Sequence, residues 1–570
     1  RENQQNSTKI KNNALSGAHA SNGTPLANKS SHSTLTSVCR SATSYGNANN
    51  EKFISGNRHY WCPDIVKANI INIINNVDLS KIESAINKFN IKIPTIEDVV
   101  ECVKYSTDLY WRNEEESLII KELISKLTDI ERAAFMYCGD LYHIAKINDS
   151  FVRTFIDKII SKPDTNISFD EAEKILSDAD ADLKAYVSLL CKNELKGKTL
   201  DDVKKKKKDV YCLVGGHGKI VIETLEEYKD FIKAFFVVNT MPASVANIPN
   251  SIRRTALASD TDSTIFTVQE WGKWYTGDYN FTDKASAIGV TITYFTSQSI
   301  IHILAMMCGN MGIDKEEIHR LQMKNEYAFP VFVLTPLAKH YYASMSAREG
   351  NVYDELEREV KGVGLRSSSC PKEVMSGVHK LMEHIMNETI AGRKLSIEYV
   401  YDVIAGYENK IRDSVESGRY EYLTKSRINA RDAYKLPHQS AYVYYDLWKE
   451  VFADKYGYPD EPPHSAIKVS LYTDNRTALN EWLASIEDRV IAEKLTNWLQ
   501  AKGKTDISNI LLPEQIVAVS GIPKEIILGI NIRKLIYSTV KPFYVVLESL
   551  GIFMTDDNIC RLVSDFHKVK

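Results

Sequence analysis

Residues 256–268 read ALASDTDSTIFTV, and two aspartates, Asp260 and Asp262, stand two apart between short apolar runs. The flanking segments RRTALAS and STIFTVQEW have the composition of two strands, so the DTD is expected at the tip of a β-hairpin. Alternate residues of a strand face the same way, which would turn both carboxylates toward one place. Close carboxylates repel unless a cation neutralises them. Magnesium suits such a pair, because it takes oxygen ligands and keeps room for water and substrate phosphates. Two such ions about 3.5–4 Å apart can clamp the attacking and leaving oxygens of a phosphoryl transfer. The same residues also suit an ordinary Asx turn, which Asp and Ser favour, and local context leaves both readings open.

Upstream, residues 6–18 (NSTKIKNNALSGA) read as a short helix ending near Gly17. Lys9 and Asn13 are four apart and share a helix face. A lysine charge beside an amide donor can grip a triphosphate; a solvated helix face is the alternative. A Ser/Thr/Asn/Gly-rich stretch follows. From about 64 to 200 apolar residues recur at helical spacing, and Ser168 with Glu171 fits a capping box. Lys204 to Lys208 form an unbroken cationic run that reads as a solvated loop. DVYCLVGG, KIVIETL and FFVVNTM, between 209 and 241, look strand-like. SQSIIHILAMMCGNMG reads as a helix, strands return in EYAFPVFVLTPLAKHYYASM, and the chain from 346 onward reads as mostly helical. The fold class is α+β.

Several other patterns fail on inspection. SDADADLK, counted from Asp178 as a calcium loop, has Leu183 and Leu189 where a glycine and a bidentate glutamate are needed. GGHGK (215–219) lacks P-loop spacing. Asp129 and Glu131 are better explained by a helix N-terminus than by a nuclease pair. His379 and His384 lack metalloprotease spacing.

A chain of 570 residues exceeds a single core, so three or four domains are expected. The net charge of −3 excludes a uniformly basic nucleic-acid binder, and any such surface must be local. Residues 1–50 show one, with Arg1, Lys9, Lys11, Lys29 and Arg40 against Glu2. Nine cysteines without a C-x-x-C pair argue against a zinc ribbon and suggest reduced thiols and a cytoplasmic setting. No apolar run reads as long enough to span a membrane, and no signal peptide is evident. The chain opens on Arg1, which suggests the later part of a longer functional unit, either a split subunit or a fragment.

In order along the chain, these pieces resemble a family B replicative DNA polymerase of the tailed-phage type. The family's fingers motif K-x-x-x-N-S-x-Y-G is met by KIKNNALSG, with Lys9, Asn13 and Gly17. Its palm motif Y-G-D-T-D-S is met by ASDTDS. A basic–aromatic K-x-Y element and a thumb segment like K-x-x-G-x-x-x-x-S-S-x-P-K are met by AKHYYA and KGVGLRSSSCPK. These supply Lys339, Tyr341, Tyr342, Lys361, Gly364, Arg366, Ser368 and Lys372. MKNEYAF resembles the strand whose glutamate lies beside the metal pair, pointing to Glu326.

The resemblance implies a right-hand polymerase: fingers and return to palm over 1–54, a helical insertion over 55–210, palm over 211–345, and thumb with C-terminal region over 346–570. It implies templated addition of dNMP from dNTP to a primer 3′-hydroxyl with two Mg2+ ions. Asp262, Asp260 and Glu326 would serve the metals, and Asp262 would be the shared ligand. Lys9, Asn13 and Gly17 would hold the nucleotide. Lys339, Tyr341, Tyr342, Lys361, Arg366, Lys372, Lys425, Arg427 and Arg431, with Lys435 nearby, would track primer–template DNA. A processivity factor would be a further partner.

The departures are specific. Ser16 stands where the family has a tyrosine under the nascent base pair, and Ala14 replaces a serine. Ala258 and Ser259 replace Tyr-Gly before Asp260. No D-x-x-S-L-Y-P motif, which brings the other metal-binding aspartate, and no exonuclease carboxylate motif occurs in these residues. An upstream polypeptide carrying both is therefore an expected partner. The alternative is a non-catalytic DNA-binding or replication-interaction subunit.

Overall fold

The computed structural model describes residues 2–163, 167–242, 250–365, 370–436 and 440–569. The chain forms two compact units, Arg1–Ala328 with Ser346–Leu356, and Phe329–Met345 with Glu357–Lys570. Helices dominate both, and the strands form small antiparallel sheets, so the α+β class holds.

The first unit opens with α1 (Glu2–Ala20) and α2 (Lys29–Ser55). The Ser/Thr/Asn-rich stretch has no helical apolar period, yet it forms α2, capped by the Asn28 side chain on the Ser31 N–H. Its second half, from Ala42 on, is almost wholly buried, polar residues included. Tertiary hydrogen bonds outweigh its poor intrinsic propensity.

Helices α3 to α15 then fill residues 63–235. Their apolar faces make the larger core of this unit, around Val66, Ile73, Phe135 and Phe231. The Thr128–Glu131 pair is a capping box, as the helix-start reading of Asp129 and Glu131 expects. At Ser168 only half of the expected box forms. The Ser168 hydroxyl accepts the Glu171 N–H at 3.2 Å, while the Glu171 carboxylate pairs with Lys219 at 2.8 Å.

Three expectations change here. Two of the strand-like segments after 209, DVYCLVGG and KIVIETL, lie in α14 (Lys208–Glu227), while FFVVNTM starts on the last residue of α15 (Lys229–Phe235) and continues as turn and irregular chain, not strand. The cause is close helix packing. A Cβ placed on Gly215 would lie 2.6 Å from the Ala172 Cβ, on α10 (Phe169–Asp178), so the glycines admit a neighbour that a strand reading ignores. The lysine run is not a loop either. Lys204 to Lys206 end α13 (Leu200–Lys206), where cations suit the helix dipole, and Lys208 opens α14. Finally, α17 (Asp283–Asn310) is long and apolar enough to cross a membrane by length and composition, against the sequence reading. It is half buried within its unit and packs on α2, α11 (Ala181–Leu190) and α16 (Gln269–Thr276).

Between α15 and α16 lies the expected hairpin: β1 (Ala256–Ser259) and β2 (Thr264–Phe266), paired antiparallel with Ser259 opposite Thr264. This unit also holds β3 (Tyr327–Ala328), which pairs with Ala347 and Arg348.

The second unit contains β4 (Val331–Leu334), antiparallel to residues 341–344 of β5 (Tyr341–Arg348). β6 (Asn351–Lys361) pairs with β5. Its helices run from α18 (Lys372–Ile390) and α19 (Ile397–Glu416) to α26 (Ile532–Ser549), around one large core. The mostly helical reading misses a three-stranded sheet, β7 (Lys425–Ile428), β8 (His464–Ser470) and β9 (Asn509–Pro513), ordered β7-β8-β9. These strands are short and far apart in sequence, so none shows a sustained alternation.

Candidate active site

The DTD forms the exposed tip of the β1–β2 hairpin. The Asp260 N–H donates to the Ser263 carbonyl at 2.8 Å and closes the turn, and the Asp260 carboxylate accepts the Thr261 N–H at 2.9 Å. Asp260, Thr261, Asp262 and Ser263 are all exposed. The side-chain bond reaches the next residue and not the N–H two residues on that defines an Asx turn, so Asp260 braces the turn locally while both aspartates face solvent.

What sits beneath this turn was not legible as a motif. Thr43, Asn47 and Glu51 recur every four residues on α2 and share one face. Each is buried, at 4%, 3% and 0% exposure, and each holds the hairpin. The Thr43 hydroxyl donates to the Thr261 carbonyl at 2.7 Å, and the Thr264 hydroxyl donates to Asn47 Oδ1 at 2.6 Å. The Glu51 carboxylate accepts the backbone N–H groups of Arg254, Thr255 and Ala256 at 2.7–3.1 Å. The i, i+4, i+8 spacing is the signal that would have found them, had the helix itself been recognised. α2 also carries Tyr45 and Gly46, a Tyr-Gly pair like the one that ends the fingers motif, two residues after Thr43.

The sequence-derived nucleotide residues lie on α1. Asn13 and Gly17 are exposed, nothing lies within 4 Å of a Cβ placed on Gly17, and the Lys9 side chain falls outside what is described. α1 packs on α2, and Ser16 meets His32 at 3.2 Å. It is α2 that touches the turn. Glu326 is exposed just before β3, its carbonyl accepting the Glu349 N–H at 2.7 Å.

In the second unit the structure brings KHYY and KGVG together. Gly362 has φ +113°, and a Cβ there would lie 2.1 Å from the His340 ring. Both the conformation and the space exclude a side chain, so Gly362→Ala is expected to cost about 1–3 kcal/mol, read as a lower denaturation midpoint in urea. An unchanged midpoint would refute this packing.

Lys339 has a left-handed φ of 62°, and Lys361 and Lys372 are exposed. The two tyrosines differ from expectation. Tyr342 is fully buried, its hydroxyl 3.0 Å from Ser549 Oγ, and burial pushes its pKa up to about 12. Tyr341 is 9% exposed and packs on Phe332 at 4.6 Å between ring centroids. Both are core side chains here, because β5 is buried on its two faces. Arg366 and Ser368 lie outside the described residues. Lys425 and Arg427 share the exposed side of β7, and Arg431 and Lys435 are exposed beyond it. Lys425 is paired with Glu514 at 2.5 Å.

Oxygen donors at an exposed turn fit Mg2+, which needs only one or two carboxylates when water and phosphates complete its shell. A second donor set, Cys102, Asp140 and His143, is buried in the helical block. It does not suit a metal. Asp140 Oδ2 already takes Arg58 at 2.7 Å and His143 Nδ1 at 2.8 Å, so a guanidinium occupies the cation's place. Burial alone would raise the Asp140 carboxyl, but the charges of His143 and Arg58 outweigh it and hold the pKa near about 2. Burial alone would lower His143, but the Asp140 charge outweighs it and brings it to about 9.

A family model described as divergent family B DNA polymerase matches residues 1–567. No curated protein matches the chain.

Proposed function

The chain belongs to the divergent family B DNA polymerases, and from that premise we propose that it carries part of the nucleotidyl-transfer site of a template-directed DNA polymerase. The observation that carries this reading is the exposed Asp260–Asp262 turn, held from beneath by buried polar groups of α2. In the proposed reaction the primer 3′-hydroxyl attacks the α-phosphate of a dNTP and pyrophosphate leaves. Catalysis is positioning and charge stabilisation more than side-chain covalent chemistry. When bound, two Mg2+ ions would supply charge to the attacking and leaving oxygens. Asp262 would be the main carboxylate holding those ions, Asp260 braces the turn and would shape the local field, and Glu326 would be an outer candidate.

Lys9, Asn13 and Gly17 are proposed to hold the triphosphate. A second reading draws on α2, whose Tyr45-Gly46 supplies the Tyr-Gly that Ser16-Gly17 lacks. Lys339, Lys361, Lys372, Arg427 and Arg431 would contact duplex phosphates, contacts that position more than they specify. The remaining palm aspartate and an exonuclease are proposed to come from sequence outside these 570 residues, so that this chain by itself does not extend a primer. A processivity factor would act on that assembly.

Primer extension on a defined template, with and without the upstream polypeptide, tests the reading. Extension by the 570-residue chain alone would refute the division of the site. Extension by neither would favour the non-catalytic DNA-binding subunit. For the duplex contacts, Arg427→Gln and Arg431→Gln are each expected to weaken binding similarly across template sequences and to flatten the salt dependence by about one unit of slope. Fluorescence anisotropy over a salt series reads this, and an unaltered slope would remove β7 from the interface.

A further inference from the structure

The hairpin that carries the aspartates has little to hold it by itself. β1 has four residues, β2 has three, and they form a two-stranded sheet. An isolated two-stranded hairpin is marginal in water, so besides the Thr43 and Asn47 bonds at the turn the position of its tip depends on what grips its base. Two grips are present. The first is Glu51, a fully buried carboxylate whose Oε1 accepts from the Thr255 hydroxyl at 3.0 Å and whose Oε2 accepts from Asn57 Nδ2, besides the three successive backbone N–H groups of 254–256. Successive N–H groups of this kind form a nest for an anion, and here the anion is built into α2. The second grip comes from the helical block. The Tyr110 hydroxyl accepts the Ile252 N–H at 3.0 Å, lies 3.3 Å from the Ile252 carbonyl, and meets His59 Nδ1 at 2.8 Å. Arg254 lies over the Tyr105 ring at 4.0 Å and donates to the Tyr105 carbonyl at 3.3 Å.

We propose that Glu51 and Tyr110 are positioning residues for the Asp260–Asp262 turn, and that the helical block serves catalysis by fixing the backbone that enters β1. The proposal rests on the reading of that turn as the nucleotidyl-transfer site. A shift of about 1 Å in a reacting constellation can cost about 100-fold, and the hairpin tip is only four residues beyond the Glu51-bound Ala256 N–H. Glu51→Gln puts an amide NH2 against N–H donors. Tyr110→Phe removes one hydroxyl from a half-buried ring and keeps the packing.

The test uses the complete polymerase assembly. Steady-state extension is measured well below each variant's unfolding temperature and normalised to folded protein by circular dichroism. Mn2+ affinity is measured separately from the electron paramagnetic resonance of free Mn2+. Glu51→Gln is expected to lower kcat about 10- to 100-fold, with KM for dNTP within about twofold, and to weaken Mn2+ binding. Tyr110→Phe is expected to move both readouts the same way by a smaller factor. Parent-like kcat and Mn2+ affinity in folded Glu51→Gln would overturn the proposal. So would losses that track only the unfolded fraction. If Glu51→Gln does not fold, Tyr110→Phe decides. If the parent assembly does not extend a primer, the functional reading fails, and the Mn2+ titration still decides whether the two residues set the carboxylate site.

Discussion

Asp262→Ala, in the assembled polymerase, is expected to reduce primer extension by about two to three orders of magnitude or more while leaving duplex affinity within about twofold. The size follows from what the residue is proposed to do. Removing a single preorganised electrostatic contact from a reacting centre commonly costs about 10²–10³-fold, and a ligand shared by both metals removes more than one. Duplex affinity should hold because it is dominated by phosphate contacts, and the cations offered for these lie elsewhere in the chain, on and beyond β7 and around Lys361 and Lys372. The substitution should also leave the fold intact. Asp262 is exposed, and the turn is closed by Asp260 and Ser263 rather than by Asp262. Asp260→Ala should be milder, since it loses a brace, the bond from the Thr261 N–H, together with a supporting charge. Gel-resolved extension and anisotropy separate the two effects. Equal loss of extension and of binding would mean that the turn serves DNA docking instead of chemistry.

The second large effect is on stability. Arg58→Ala is expected to destabilise the first unit by about 3–5 kcal/mol, the usual cost of leaving one partner of a buried ion pair alone. Arg58 and Asp140 have side chains 2% and 0% exposed. Arg58 also donates to the carbonyls of Phe135 and Met136 at 2.8 and 2.6 Å, so its loss strands two carbonyls and leaves the buried Asp140 carboxylate with His143 as its remaining cationic partner. Against a typical net stability of about 5–15 kcal/mol, this is a large fraction. Asp140→Asn should cost less, because the amide oxygen still accepts one bond.

The pH dependence of the pair follows from its shifts. Asp140 is depressed from 3.8 to about 2, so its contribution is complete above its ordinary value and disappears as pH falls through about 2. His143 is raised from 6.5 to about 9, so its contribution is complete below its ordinary value and fades as pH rises through about 9. The share of the first unit's urea resistance that Asp140 and His143 supply, read as the difference between the parent and Asp140→Asn, should therefore be largest between about pH 4 and 6.5. A change below about 1 kcal/mol for Arg58→Ala would place the pair among weak surface interactions.

The hairpin was readable because apolar strand residues flank polar turn residues from Ala256 to Phe266, with one irregularity between Ala256 and Ala258; the strand reading ran too far at QEW, which opens α16. The helical block was readable because its apolar faces repeat at the helical period over helix after helix. α2 was not, because its stabilising contacts are polar and long-range. Thr43, Asn47 and Glu51 find partners more than 190 residues away. α14 was misread because its glycines look like turn signals until the closeness of Ala172 explains them. Tyr342 was expected at the DNA because AKHYYA resembles the family's K-x-Y element, whereas β5 lies in the core of the second unit. Within the candidate site, the carboxylates were visible as a motif and their supports were not, since supports are defined by tertiary geometry.

The most direct test is a structure of the assembled polymerase with primer–template, an incoming dNTP and Mn2+ as an anomalous scatterer. The account predicts a manganese peak within coordination distance of an Asp262 carboxylate oxygen and of a triphosphate oxygen, with the hairpin still bound to Glu51. A complete ternary complex whose metals and triphosphate lie away from Asp262 would contradict it.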